Sequence, residues 1–458
     1  MTQTIPEPLL GQLSDFVADR LGLSFPPDRW ADLERGILSA APEFDFTSTG
    51  EFTRWLLSST LSRSQIEILA SHLTVGETYF YRDSKAFKAL EERILPELIR
   101  AREKSEKRLR IWSAGCCTGE EAYTIAIVVN RVIPVLSEWN LTILATDINP
   151  RFLRKASKGL YGEWAFRGCP AWMRDGYFTR MGDGLSRLSP DIMGMVHFAY
   201  VNLAEDTYPS LVNGTNAMDI IFCRNVLMYF TWDRMRRVAN NFHQALLDGG
   251  WLFVSPSEAS QVLFRNLIME TGDGTILYRK EDGWSRPVEV PPEVEAPAPV
   301  EAPSWGAMPE STRETPLPPA PQPKVEEPMA LLARAYANQG KLAEAREWCG
   351  KAIVLDRLDP GLHYLRAMIL QEQGQVDEAV VSLNRALYLD QNFALAHFSL
   401  GNLARMKGNQ KDAVRHFKVA LSILGAYTRD EIVPGSEGIT AARLREIVES
   451  TLEGEGEA

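Results

Sequence analysis

Two spacings of apolar residues divide the chain. Through residue 70, apolar positions recur at helical intervals in LLGQLSDFVADRLGL, DRWADLERGILSA and SQIEILASHL. That spacing predicts packed helices. Between residues 109 and 280, short apolar runs alternate with longer amphipathic ones. Leu109–Ser113, Leu141–Asp147, Asp219–Cys223 and Trp251–Ser255 read as strands, and Glu120–Val132 and Trp232–Leu247 as helices. Such alternation predicts a mainly parallel sheet with crossover helices.

Beyond residue 284 the pattern breaks. Residues 287–328 hold 13 of the chain's 27 prolines, mixed with Glu, Ala and Val. So little apolar surface cannot offset the entropy of ordering, which predicts an extended, disordered linker over 284–328. A period follows. Gly340, Gly374 and Gly408 are 34 residues apart, and Ala345, Ala379 and Ala413 keep the same register. Ala352, Ala386 and Ala420 form another column, and Ala333, Ala367 and Gly401 a third. Small residues recur where two helices of one unit cross closely. The columns resemble tetratricopeptide repeats, three units over residues 329–425. Residues 426–458 read as a capping helix, Thr440 to Leu452, and an acidic tail.

Composition narrows the function. The balance of 49 Lys+Arg against 60 Asp+Glu argues against a general nucleic-acid or anionic-membrane binder. No apolar run is long enough for a membrane span, and the N-terminus lacks the pattern of a secretory signal. Five cysteines without CxxC pairs suggest neither a disulfide framework nor a metal site, so a reducing cytoplasm is expected.

The chemistry gathers at strand ends. LRIWS runs into AGCCTGEEAYTIAI, where Gly115 and Gly119 let backbone approach a ligand just before a helix. No Lys-Ser/Thr follows, so the loop makes no case for a pyrophosphate. The next strand ends in Asp147, placed to accept from both ribose hydroxyls. A nucleoside without phosphates fits, S-adenosylmethionine among such ligands. Glu120 and Glu121 open a helix, where either complements the dipole or takes a cationic ammonium. DIIFC delivers Arg224 and Asn225 to the same edge of the sheet, and Arg82 stands among aromatics in LTVGETYFYRD. Cys116 and Cys117 read as small residues in a tight loop.

These pieces resemble the CheR-type methyltransferases, which methylate glutamates of bacterial chemoreceptors. TVGETYFYRD, WSAGCCTGEEAYTIAI, ATDINPRFLRKASKGLYG, FAYVNLAED, IIFCRNVLMYF and DGGWLFVSPSE occur in family order over about residues 5–281. The resemblance implies a helical N-terminal domain over 1–75 and a Rossmann-like α/β methyltransferase domain over 76–283. It also implies a small antiparallel β insert at 157–198, with the all-α repeat domain following the linker. Carried over by motif, cofactor contacts would be Gly76, Thr78, Arg82, Gly115, Glu120, Asp147, Asn202, Leu203, Arg224 and Asn225. Arg82 and Tyr229 would orient the reacting groups. Pro256 stands where the family often has histidine, and Ser257 and Glu258 are not carried over.

The implied reaction transfers methyl from S-adenosylmethionine to a glutamate, leaving S-adenosylhomocysteine and a γ-methyl ester on the receptor's cytoplasmic domain. The repeats would recruit a further protein partner, with neither nucleic acid nor membrane insertion expected. Two alternatives stay open: a methyltransferase fold serving as a scaffold, and a methyltransferase for another substrate.

Overall fold

The computed structural model describes residues 5–103, 107–204, 208–272, 274–281, 326–429 and 431–453. The expected linker, 284–328, lies outside the described residues as far as 325, and so does the tail from 454. Four helices come first: α1 (Glu7–Leu21), α2 (Trp30–Ala40), α3 (Thr49–Ser58) and α4 (Arg63–Leu73). Ser48 and Ser62 cap the last two, accepting from the backbone N–H of Glu51 and Gln65. Leu13, Val17, Ile37, Phe52 and Leu69 are fully buried. They share one apolar core with Trp112, Leu144, Ile221 and Leu252 of the sheet.

The sheet carries strands β1 (Arg108–Ala114), β2 (Asn140–Asp147), β6 (Val196–Tyr200), β7 (Met218–Phe222), β8 (Leu246–Phe253), β9 (Ile268–Gly272) and β10 (Thr275–Arg279). Their order is β6-β2-β1-β7-β8-β10-β9. The first five run parallel, and β10 is antiparallel to β8 and β9. Strand β1 is buried at every residue. Side chains of β1 and its neighbours alternate between faces: Ile111, Ile143 and Phe222 belong to a second core with the helices on the far side. Those helices are α5 (Ser84–Ala89), α6 (Leu95–Arg102) and α7 (Glu120–Val132), while α8 (Pro150–Lys158) and α11 (Trp232–Ala245) complete the crossovers.

The antiparallel insert is β3 (Leu160–Gly162), β4 (Phe178–Arg180) and β5 (Leu185–Leu188), ordered β3-β5-β4 with short α9 (Ala171–Tyr177) and α10 (Pro190–Met193). Residues 196–198, assigned to the insert from sequence, instead belong to β6, which pairs with β2. The short VHFAY run gave no sign of which sheet it would join. Phe80, one of the aromatics beside Arg82, packs on Tyr161, Phe166 and Phe178 of the insert, with ring centres 4.8–5.2 Å apart.

Three helix pairs make the repeats: α12 (Glu326–Asn338) with α13 (Leu342–Leu355), α14 (Pro360–Glu372) with α15 (Val376–Leu389), and α16 (Ala394–Met406) with α17 (Gln410–Leu424). Helix α18 (Ala441–Glu453) follows. Gly340, Gly374 and Gly408 occupy the turn in each pair with φ of 71°, 71° and 73°, a region side chains avoid. The six alanines of the first two later columns are fully buried.

The repeats do not stand apart from the sheet. Arg110 Nη1 donates to both carboxylate oxygens of Glu372 at 2.6 Å, and Arg108 lies 3.3 Å from the same group. Leu211, in the loop before β7, joins an apolar cluster with Ala333, Ala337, Leu365 and Ile369. Val212 packs on a cluster holding Tyr364, Phe393, Val433 and Ile439. Helices α14 and α16 are therefore covered on two sides, by their partner helices and by the loop near 211 together with the segment before α18. The contacts reach β1 and β2 at their amino-terminal ends.

Candidate active site

At the other end of the strands, Gly115 leaves β1 with φ +87°. A Cβ there would come 2.4 Å from Val226, so only glycine lets the loop after β7 close against the end of β1. The backbone N–H groups of Gly115 and Cys116 donate to the Thr146 carbonyl at 2.7 and 2.9 Å. Between β1 and β7 the strand order reverses, which opens a crevice in sheets of this kind. A cavity of about 1070 Å³, counted to its open mouth, occupies it.

Asp147 is fixed by its own backbone surroundings. Cys117 N–H donates to Oδ2 at 2.8 Å and Asn149 N–H to Oδ1 at 2.9 Å. Burial nevertheless pushes its carboxyl up to about 6, against the opposing pull of those hydrogen bonds. Glu121 reaches the cavity from the first turn of α7, accepting from Ser113 Oγ at 2.8 Å. Its carboxyl too is raised, by burial first, with Arg224 and Ser113 acting the other way. Burial pushes the Cys117 thiol up to about 12 and the Cys116 thiol well above its ordinary range, so both are neutral and poor nucleophiles.

Arg224 ties the wall together. With 4% of its side chain exposed, it donates to the Arg82 carbonyl at 2.9 Å and to Asp83 Oδ2 at 3.1 Å, and lies 3.4 Å from Glu121. The Arg82 side chain donates to the Glu77 carbonyl at 2.7 Å. Tyr81, Asp83, Cys117 and Asn225 all take positive φ, between 51° and 64°. Left-handed backbone costs a side-chain-bearing residue on the order of 1–3 kcal/mol and gathers where function needs it. Here Tyr81 and Asp83 flank Arg82, while Cys117 and Asn225 line the cavity or border it.

The groups present suit S-adenosylmethionine. Asp147 can take ribose hydroxyls, Glu121 an ammonium and Arg82 a carboxylate. Phe152, Val201, Leu203 and Val226 supply an apolar wall for a base. Residues 76–270 match the family model described as CheR methyltransferase, SAM binding domain. The chemotaxis protein methyltransferase of Borreliella burgdorferi is 31% identical over 256 residues, covering 54% of this chain and 87% of that one. Chemotaxis protein methyltransferase 2 of Vibrio cholerae is 31% identical over 274 residues, covering 60% and 91%. The chain belongs to the CheR family. It is an S-adenosylmethionine-dependent methyltransferase of the chemotaxis type. Residues 329–355 and 367–408 match tetratricopeptide models. A Pseudomonas aeruginosa protein named as a probable biofilm formation methyltransferase, WspC, is 30% identical over 375 residues, covering 77% of this chain and 85% of its own. Among the described residues, no helix is long and apolar enough to cross a membrane.

Nine of the eleven residues carried over by motif line this cavity: Thr78, Arg82, Gly115, Asp147, Asn202, Leu203, Arg224, Asn225 and Tyr229. Gly76 and Glu120 do not. A Cβ on Gly76 would meet the Phe152 ring at 2.6 Å, so the glycine makes room for a wall residue. Glu120 is 3% exposed, turned away to accept from Thr118 Oγ1 at 2.6 Å. Adjacent helical residues point about 100° apart, and the wall falls to Glu121. Asn202 spends its side-chain oxygen on the Ala204 N–H at 2.9 Å. Sequence reasoning missed the edge supplied by Leu21 to Arg29, where Arg29 lies 5.4 Å from the centre of the Tyr229 ring. No local motif marks that stretch.

Proposed function

We propose that this enzyme forms γ-methyl esters on glutamates of a chemoreceptor's cytoplasmic domain. The observation that carries the reading is the cavity, whose wall brings Asp147 together with Arg82 and with Glu121 paired to Arg224 at 3.4 Å, and among the described residues no histidine lines it. A glutamate carboxylate, with a reference pKa of about 4.3, is already an anion at neutral pH and needs no base to accept a methyl group. When bound, S-adenosylmethionine supplies a methyl group on a cationic sulfur and departs as neutral S-adenosylhomocysteine.

The chain's own residues then align and dry the site. Asp147 holds the ribose, and Glu121 rather than Glu120 takes the ammonium. Arg82 anchors the carboxylate of the cofactor's tail, since an arginine against the acceptor would hold back its charge. Thr78, Asn202 and Leu203 border the nucleoside, while Arg224 and Asn225 shape the wall near the methyl group. Tyr229 orients the acceptor. Burial raises the Tyr229 hydroxyl's pKa, so it stays a neutral donor. Alignment of this kind is worth up to ~7–11 kcal/mol of a barrier. The helical N-terminal region and the sheet form the transferring unit, acting in the cytoplasm, and the repeats bring a protein partner to it.

The test is transfer of labelled methyl from S-adenosylmethionine to receptor-containing membranes. Label that is released by mild base, as esters are, is the expected product. Label that resists base, or that enters only small molecules or RNA, would overturn the assignment.

A further inference from the structure

The turn after β8 holds a carboxylate that the proposed mechanism does not use. Glu258 is 7% exposed and ends a single helical turn, Pro256–Glu258. Its Oε2 accepts from the Ser255 N–H at 3.2 Å and from the Ser255 hydroxyl. The first is half of a capping box, completed by the Glu258 N–H donating to the Ser255 hydroxyl, and both stay within their own turn. Three further donors come from another part of the chain. Asn225 N–H donates to Oε2 at 2.7 Å, Val226 N–H to Oε1 at 2.7 Å, and Met228 N–H to Oε1 at 3.3 Å. One carboxylate thus gathers the backbone of the loop between β7 and Tyr229.

That loop needs holding. Asn225 sits at φ 58°, and Val226 presses against Gly115 where a single added Cβ would clash. Neutral acceptors could satisfy the same N–H groups, but a charged one binds about twice as strongly and forks to two sites at once. The loop's outer residues, Asn225 and Tyr229, face the cavity.

We propose that Glu258 is a positioning residue for methyl transfer: its carboxylate fixes the loop that presents Asn225 and Tyr229 to the reacting centre. The inference rests on the methyltransfer reading above. Its test uses the full chain carrying Glu258→Gln, which keeps the shape but turns an amide NH2 toward donors. Ser257→Ala, a change in the same turn whose hydroxyl meets the Ser255 hydroxyl at 3.0 Å and none of the loop's N–H groups, is the control.

Two measurements are made. In the kinetic one, Glu258→Gln lowers kcat at least 30-fold with saturating cofactor and receptor. KM for S-adenosylmethionine and the stoichiometry of S-adenosylhomocysteine binding stay within threefold, and Ser257→Ala behaves as wild type. In the exchange one, the amides of Asn225, Val226 and Met228 lose at least tenfold protection while those of Met218–Phe222 keep theirs. Unchanged kcat, or binding and kcat lost in parallel, overturns the positioning role. So does unchanged protection in the loop, and that readout decides the matter even where wild type fails to methylate receptor. Failure of the wild type itself overturns the methyltransfer reading instead.

Discussion

Strand β1 has two ends with opposite treatments of charge. At its start, Arg108 and Arg110 are buried and meet Glu372 from the repeats, while Asp219 accepts from the Arg110 N–H at 2.8 Å. The Gly214 and Ala217 carbonyls accept further hydrogen bonds from Arg110 and Arg108, at 2.6 and 3.4 Å. At its finish, Asp147 is buried and Glu121 half-buried, yet they line open space and their carboxyls are driven upward by desolvation. Opposite charges sealed between two parts of the chain mark an interface; carboxyls that border open space, one of them 3.4 Å from Arg224, mark a site. The same strand therefore couples a sealed end to an open one across seven residues.

The sharpest way to break this contrast is at the open end. Asp147→Asn keeps one oxygen and the side-chain shape but removes the charge that two ribose hydroxyls would share. Hydrogen bonds to a charged group contribute about 1.5–3 kcal/mol each. Calorimetry should show S-adenosylhomocysteine affinity falling by at least a hundredfold, with thermal unfolding still cooperative. Wild-type affinity in that variant would remove Asp147 from the ribose.

The sealed end is tested by Glu372→Ala. Leaving two buried guanidinium groups without their carboxylate costs about 3–5 kcal/mol when the cations cannot reach water. Here the repeats can swing off, so the loss is capped at whatever docking contributes. The expected outcome is release of the repeats, seen as rapid protease cleavage between the two parts and a lower first melting transition. S-adenosylhomocysteine affinity should stay within threefold. A single unshifted transition would mean that Glu372 holds nothing.

How much of this could be read from the chain differs between the two ends. Asp147 and Gly115 announce themselves because strand-end position and residue type suffice. The alanine and glycine columns of the repeats are equally local, since the period alone displays them. The choice between Glu120 and Glu121 is not local: it turns on where the first turn of α7 points, a matter of 100° of rotation. Arg110 and Glu372 are 262 positions apart with no shared motif, and the sequence reading made the repeats an arm beyond a linker. Leu211 looks like any loop leucine until it is found among Ala333 and Ile369. Glu258 gives no local signal, since Pro256 beside it departs from the family pattern and its partners lie 30–33 residues upstream. The docking also decides which faces of the repeats stay open: α14 and α16 are covered on two sides, whereas Val354, Leu355, Val381 and Tyr388 of α13 and α15 are exposed.

A smaller effect sharpens the open end by pH. Folding lifts the Asp147 carboxyl from 3.8 to about 6. The folded chain thus holds this proton over a range where the unfolded chain has lost it. The stability it contributes is complete below about pH 4 and is lost as pH rises through about 6. Ribose binding needs the ionised form and runs the other way. S-adenosylhomocysteine affinity should be flat above about pH 7 and fall roughly tenfold by one unit below the pKa, about 1.4 kcal/mol. In Asp147→Asn that slope should vanish. An equal slope in both proteins would assign the titration to another group, with Glu121 the first to consider.

The smallest expected effect separates docking from turn geometry. Gly340 and Gly408 share a left-handed φ, 71° and 73°, so alanine at either position incurs the same backbone penalty, about 1–2 kcal/mol. Their surroundings differ. A Cβ on Gly340 would lie 2.6 Å from Leu247 Cδ2 of β8, whereas nothing comes within 4 Å of one on Gly408. Leu247 Cδ2 is the tip of a flexible side chain, which can yield, so the added cost at Gly340 should be modest, below about 1 kcal/mol. Chemical denaturation of the two single variants reads the difference directly, because the backbone penalty cancels in the subtraction. Adding Glu372→Ala to each then decides its origin. If the excess at Gly340 disappears once the repeats are released, it belongs to docking; if it persists, the turn itself is responsible and the sealed end of β1 owes less to this contact than its distance suggests.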